Sequence, residues 1–180
     1  MKKLCVFCGS GSGRGENYLK LGDKIGEILV LNQTALVYGG ASIGLMGAVA
    51  DGVLKRGGKV IGVIPKALVD YEVAHKNLTE LHVVETMHQR KKMMYDLSDA
   101  FLSLPGGMGT LDEMFEVLTW TQLKYHSKKS YLFNYDHFYD SLLAYPHHSK
   151  NEGFIKAEHI DLLGVMTDLS DLEKMLSKGL

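Results

Sequence analysis

Short apolar runs alternate with longer stretches of helical period along the whole chain. Residues 4–8, 35–38, 59–64, 81–84, 100–104, 131–133 and 162–165 are apolar over strand lengths. Between them, apolar residues recur every three or four positions. Tyr18, Leu21, Ile25, Ile28 and Leu29 do so over 16–31, and Leu45, Val49 and Val53 over 43–55. The same period returns over 86–98, 110–124, 136–145 and 169–178, whereas 66–80 has none. Strands of period two or of unbroken apolarity, each followed by a helix, predict a parallel sheet covered on both sides.

With three prolines and no linker, repeat or low-complexity tract, nothing divides the chain. The expected fold is α/β: one Rossmann-like domain over residues 1–180, a doubly wound parallel sheet with helices on both faces. Such folds take ligands at the carboxyl ends of the strands, where the strand order reverses. Three glycine turns follow strands and should open on that edge. They are Gly9-Ser10-Gly11-Ser12-Gly13, Gly39-Gly40-Ala41-Ser42-Ile43-Gly44 and Gly106-Gly107-Met108-Gly109. The third leads into a helix, whose first N–H groups and dipole suit a phosphate or carboxylate.

Composition narrows the field. The 180 residues are 46% apolar and 23% charged, with a net charge of -1 and no basic block, which argues against a nucleic-acid partner. No run approaches the roughly 18 apolar residues of a membrane span. The opening Met-Lys-Lys-Leu-Cys-Val-Phe-Cys resembles a secretion signal, but its apolar stretch falls short of the roughly 7–15 residues such a signal needs. It reads as a first buried strand, and a cytoplasmic protein is expected. Cys5 and Cys8 form a C-x-x-C within that strand, where residues three apart face opposite ways. Two small core residues are the simpler reading than a redox pair or half a zinc site.

Familiar nucleotide motifs are absent. Gly9 and Gly11 begin a G-x-G-x-x-G, but Arg14 replaces its last glycine and no acid ends the second strand. Gly57-Gly58-Lys59 runs into Val60, so it is no phosphate-binding loop of the GK[ST] kind. Eight histidines include no H-E-x-x-H. Neither a metal nor a cofactor is expected.

Two charged residues remain. Arg90 falls on the apolar stripe Met87, Arg90, Met94, Leu97, with Lys91 beside it. A guanidinium there either snorkels out at a sheet edge or grips an anion in the cleft. Glu113 closes Thr110-Leu111-Asp112-Glu113, which reads equally as a T-x-x-E capping box or as an acid placed beside the anion cradle. Glu116, one turn on, reads as solvated or structural.

Met87-His88-Gln89-Arg90-Lys91 followed by Pro105-Gly106-Gly107-Met108-Gly109-Thr110-Leu111-Asp112-Glu113 resembles the Lonely Guy (LOG) family, whose signature is P-G-G-x-G-T-x-x-E after M-H-x-R-K. The likeness extends through residues 38–47, 63–66, 119–123 and 152–155. Ala41 and Met108 are its minor departures, standing where a glycine and, in many plant members, a tyrosine are common.

The resemblance implies a phosphoribohydrolase that cleaves N6-modified AMP, or AMP itself, to an adenine-type base and ribose 5-phosphate. It implies Arg90 and Glu113 as the catalytic pair and the turn at 106–110 as the phosphate site. With Gly9, Ser10, Gly39, Gly40, Lys91 and, from a more variable loop, Glu72, these make the expected binding residues: Gly106, Gly107, Met108, Gly109 and Thr110 with those six. It also implies a homodimer with the site near the subunit interface. The alternative is a nucleotide- or cofactor-carrying module that shares the glycine turn but does no chemistry.

Overall fold

The computed structural model describes residues 1–180 apart from Asp70, Glu72 and Leu180. Its centre is a parallel sheet of seven strands: β1 (Lys3–Phe7), β2 (Ala35–Tyr38), β3 (Val60–Pro65), β4 (Glu80–Val84), β5 (Ala100–Ser103), β6 (Ser130–Phe133) and β7 (Leu163–Met166). They lie in the order β4-β3-β2-β1-β5-β6-β7. Strands β2, β3 and β5 are buried along their whole length, and β1 and β6 at all but Lys3 and Tyr131, as suits strands covered on both faces, while β4 and β7 at the edges are more exposed.

Alternation along each strand feeds two cores. Leu4, Val6, Leu36, Tyr38, Ala100 and Leu102 pack under α1 (Asn17–Leu31), α2 (Gly44–Leu54) and α7 (Leu169–Lys178). Cys5, Phe7, Val37, Ile61, Val63 and Phe101 face the other way, toward Met94 of α3 (Met87–Leu97) and Val117 of α4 (Met108–Gln122). Met114 of α4, Leu132 and Tyr139 continue that layer toward α5 (Asp140–Asn151). A short α6 (Ala157–Ile160) precedes β7. The expected doubly wound α/β sheet with helices on both faces is the fold found. Cys5 and Cys8 are buried free thiols in opposite cores, the packing role expected of them.

The order reverses at β1. The chain builds β2, β3 and β4 outward on one side, then returns to place β5 on the other. The helices after β1 and β5 therefore lie on opposite faces, and a crevice opens between the carboxyl ends of these two strands. Residues 66–80, which carry no sequence period, hold one 3-10 turn at Lys66–Leu68 and a bridge between Ala41 and Ala74.

On the far side, α1 and the turn after α2 are joined by charge. Asp23 accepts hydrogen bonds from Arg56 Nη1 at 2.8 Å and Nη2 at 3.3 Å and pairs with Lys55. The bonds from Arg56, then those from Lys55, pull its carboxyl down from 3.8 to about 2. A lowered folded-state pKa adds stability above the unfolded value, and that contribution is lost as pH falls through the folded one. Asp23→Asn should therefore lower the unfolding midpoint at neutral pH and flatten its decline between about pH 4 and pH 2. Denaturant titrations across that range would check this; parallel curves for the two proteins would show that Asp23 is not coupled to folding.

Candidate active site

The three glycine turns do open on one edge, and main-chain hydrogen bonds lace them together. The Gly9 amide donates to Pro105 O at 3.1 Å, Met46 N to Gly9 O at 3.3 Å, and Leu45 N to Gly11 O at 3.1 Å. Gly106 sits so close to Gly9 and Thr110 that any side chain there would collide with the Gly9 amide and the Thr110 hydroxyl. Only glycine permits that approach.

Above them is a cleft of about 330 Å³, at the small end of ligand pockets. Gly9, Ser10, Gly39, Gly107, Met108, Gly109 and Thr110 line it together with Arg90 and Glu113. Most of the residues read from the sequence thus meet in one place. Gly106 lies behind the turn and lines a neighbouring cleft instead. Glu72 lies outside the described residues.

Besides Gly106, two more expected binding residues do not line the cleft. Gly40 is turned the other way, in left-handed backbone (φ 82°), with its carbonyl accepting from His75 N at 2.9 Å. Lys91 extends toward α4 rather than inward, and its ammonium sits 3.1 Å from both Asp112 Oδ2 and Glu116 Oε1. Burial pulls the Lys91 pKa down, but the bonds to Asp112 and Glu116 outweigh it and leave the ammonium above its ordinary range. Glu116 is structural through this pair.

Arg90 is buried, 5% exposed, and does not snorkel outward. Its Nε donates to Val63 O at 3.1 Å and its Nη2 to Gly39 O at 2.8 Å, so carbonyls at the ends of β3 and β2 hold the guanidinium. Nη1 lies 3.9 Å from Met87 Sδ, and Met87 lines the cleft too. A Cβ at Gly39 would strike Arg90 Nη2, so a side chain there would have to displace the guanidinium. A true capping box starts this helix: Thr86 accepts from Gln89 N, and the Gln89 side chain accepts from Thr86 N.

The capping-box reading of Thr110-x-x-Glu113 is corrected. Helix α4 begins at Met108 with Gly107 as its N-cap, so Thr110 is already in the first turn and Glu113 lies beyond it. A residue at that depth cannot reach back to cap the helix. The main-chain amides of Met108, Gly109 and Thr110 fall in the first turn, where they lack acceptors within the helix, and the three residues line the cleft. Sequence reasoning also missed the apolar floor and walls formed by Val6, Cys8, Met46, Leu68 and Met87. For Met87 the signal was its place one turn before Arg90; Leu68 comes from the segment without a period.

Comparison with known proteins adds to this geometry. A family model described as "Possible lysine decarboxylase" matches residues 46–176. A cytokinin riboside 5'-monophosphate phosphoribohydrolase of Rhodococcoides fascians is 50% identical over 155 residues, 86% of this chain and 78% of that protein. The chain belongs to the LOG family. Within that family, LOG4 of Arabidopsis thaliana, which carries the same enzyme name, is 44% identical over 98% of this chain and 82% of its own length. Among solved structures, a molybdenum cofactor carrier protein of Chlamydomonas reinhardtii superposes with a TM-score of 0.72, covering 98% of this chain and 96% of its own. At 19% identity that likeness concerns the fold alone. As for the decarboxylase description, the residues lining the cleft of this LOG protein include no lysine, and Lys91 beside it is held as an ammonium, the form that cannot attack a carbonyl.

Gly39→Ala should displace the Arg90 guanidinium from its carbonyl partner and destabilise the fold by roughly 1–3 kcal/mol, the cost of a lost buried hydrogen bond to a charged group. Chemical denaturation would measure it. An unchanged midpoint would show that Arg90 keeps its place without the Gly39 carbonyl.

Proposed function

We propose that this chain hydrolyses the ribosyl C–N bond of adenosine 5′-monophosphates, N6-modified or plain, to a free base and ribose 5-phosphate. The observation that carries the reading is the convergence of Arg90, Glu113 and the amino end of α4 on one cleft. The names of relatives that are 50% and 44% identical to this chain support the reaction class.

In the proposed mechanism the 5′-phosphate is bound by main-chain amides at Gly107, Met108, Gly109 and Thr110, with the helix dipole favouring its charge. That binding positions the sugar, so phosphate contacts made away from the reacting bond speed its cleavage. As the C–N bond breaks, its electron pair leaves with the base and positive charge grows on the ribose. The Glu113 carboxylate stabilises that charge and takes a proton from the attacking water, whose hydroxyl joins the sugar. The leaving base ends protonated on a ring nitrogen, so the atoms of one water are divided between the two products. Arg90, fixed by the Val63 and Gly39 carbonyls, presents a positive edge that orients Glu113 or grips the phosphate.

The same reading takes in AMP itself as a substrate, a homodimer and a cytoplasmic location. The small, open cleft supports a second subunit closing its mouth, and the membrane-impermeant nucleotide it would consume supports the location. Among the described residues no helix is long and apolar enough to cross a membrane.

Incubation with AMP and with isopentenyladenosine monophosphate should release free base and ribose 5-phosphate, read by chromatography. Glu113→Gln should lower turnover about a hundredfold to ten-thousandfold while the melting temperature barely moves, since Gln and Glu have similar helix propensity. Stoichiometric nucleotide binding without free base would favour the carrier alternative, and full turnover by Glu113→Gln would remove that residue from the chemistry.

A further inference from the structure

Lys91 is the residue that sequence placed in the cleft and the structure places behind it. It follows Arg90 on α3, and its two partners flank Glu113 on α4: Asp112 immediately before it and Glu116 one turn after. The Lys91 side chain is 13% exposed and that of Glu116 25%, so this pair is shielded from the solvent that weakens surface ion pairs. Asp112 also lines the cleft, so one end of the link stands at the site itself.

We propose that Lys91 is a positioning residue for the hydrolysis assigned above: an ion-pair latch that holds the Glu113 segment of α4 at a fixed distance from the Arg90 segment of α3. Two physical needs make the latch fit its place. Asp112, Glu113 and Glu116 put three carboxyls within about one turn of one helix, where like charges repel. A single ammonium shared by Asp112 and Glu116 offsets that repulsion. Moreover, Arg90 and Glu113 sit on different helices, and a reacting geometry loosened by about 1 Å can cost a hundredfold in rate. Arg90 is anchored to the sheet through Val63 and Gly39, and the latch ties α4 to that anchored helix.

A latch and a phosphate ligand differ in their kinetic signature. Lys91→Met keeps the apolar stem and removes the charge; it should lower kcat on the order of tenfold to a hundredfold and leave the KM for AMP within a few-fold. Lys91→Arg, which can still bridge two carboxylates, should recover most of the loss. Glu116→Gln should reproduce part of the defect, and the double variant Lys91→Met/Glu116→Gln should be no worse than Lys91→Met alone, because both changes break one link. A raised KM with kcat held would make Lys91 a phosphate ligand and overturn the latch; unchanged kcat and KM would overturn it as well. Hydrogen exchange over residues 108–116 separates this proposal from the hydrolase reading on which it rests. If the wild-type protein released no base, that reading would fail, yet faster exchange there in Lys91→Met would still support the latch and unaltered exchange would end it.

Discussion

The site rests on a buried cation held by main-chain carbonyls. Placing a guanidinium among apolar side chains is costly unless its N–H groups find acceptors. Here the acceptors include Val63 O, in the carboxyl half of β3, and Gly39 O, just past the end of β2. Carbonyls that accept from its N–H groups help to compensate the desolvation of the guanidinium. The arrangement needs α3 to cross the ends of β2 and β3, a position that follows from its place between β4 and β5 in a sheet whose order reverses at β1. Glycine at position 39 leaves the guanidinium the space that a Cβ would fill.

The same reversal gives the cleft its second wall. Because β1 and β5 are neighbours whose following helices leave on opposite faces, their turns can touch, and they do so backbone to backbone at Gly9 and Gly106. That contact brings Gly107, and with it the start of α4, over the end of β1. The glycines read as a phosphate cradle therefore do two kinds of work. Gly106 packs the turns together, while Gly107 and Gly109 are exposed and leave the helix start open to a ligand.

Alternation of apolar runs with helical periods was enough to read the sheet and both helical layers, because burial on two faces leaves strands such as Ala35–Tyr38 no polar position. Helix starts were less legible. Thr110-x-x-Glu113 has the spacing of a capping box, yet the helix begins two residues before Thr110, after the N-cap Gly107, which has no side chain to announce it. The box that does form, Thr86 with Gln89, lies at the head of the M-H-x-R-K segment. The partners of Lys91 were illegible for a different reason. Adjacent residues on a helix point about 100° apart, so Lys91 could not share the inward direction of Arg90. Its partners lie 21 and 25 residues further along the chain, a separation no local pattern reveals.

Cys8 shows how the two charges act together. Its thiol lines the floor of the cleft beside Val6 and Met46. Burial pushes its pKa far above the ordinary range; the Glu113 charge pushes it further, and the Arg90 charge pulls it back. One buried atom thus feels both groups with opposite sign, as it must if both fields meet at the floor. The thiol stays protonated under those conditions and is no nucleophile, since reactivity requires the thiolate. In the mechanism proposed above, water would screen charge poorly at so buried a floor, and the carboxylate and the guanidinium would act on a bound sugar more strongly than in bulk solvent. The apolar residues of the cleft, which no charge motif would pick out, are in this sense part of its chemistry.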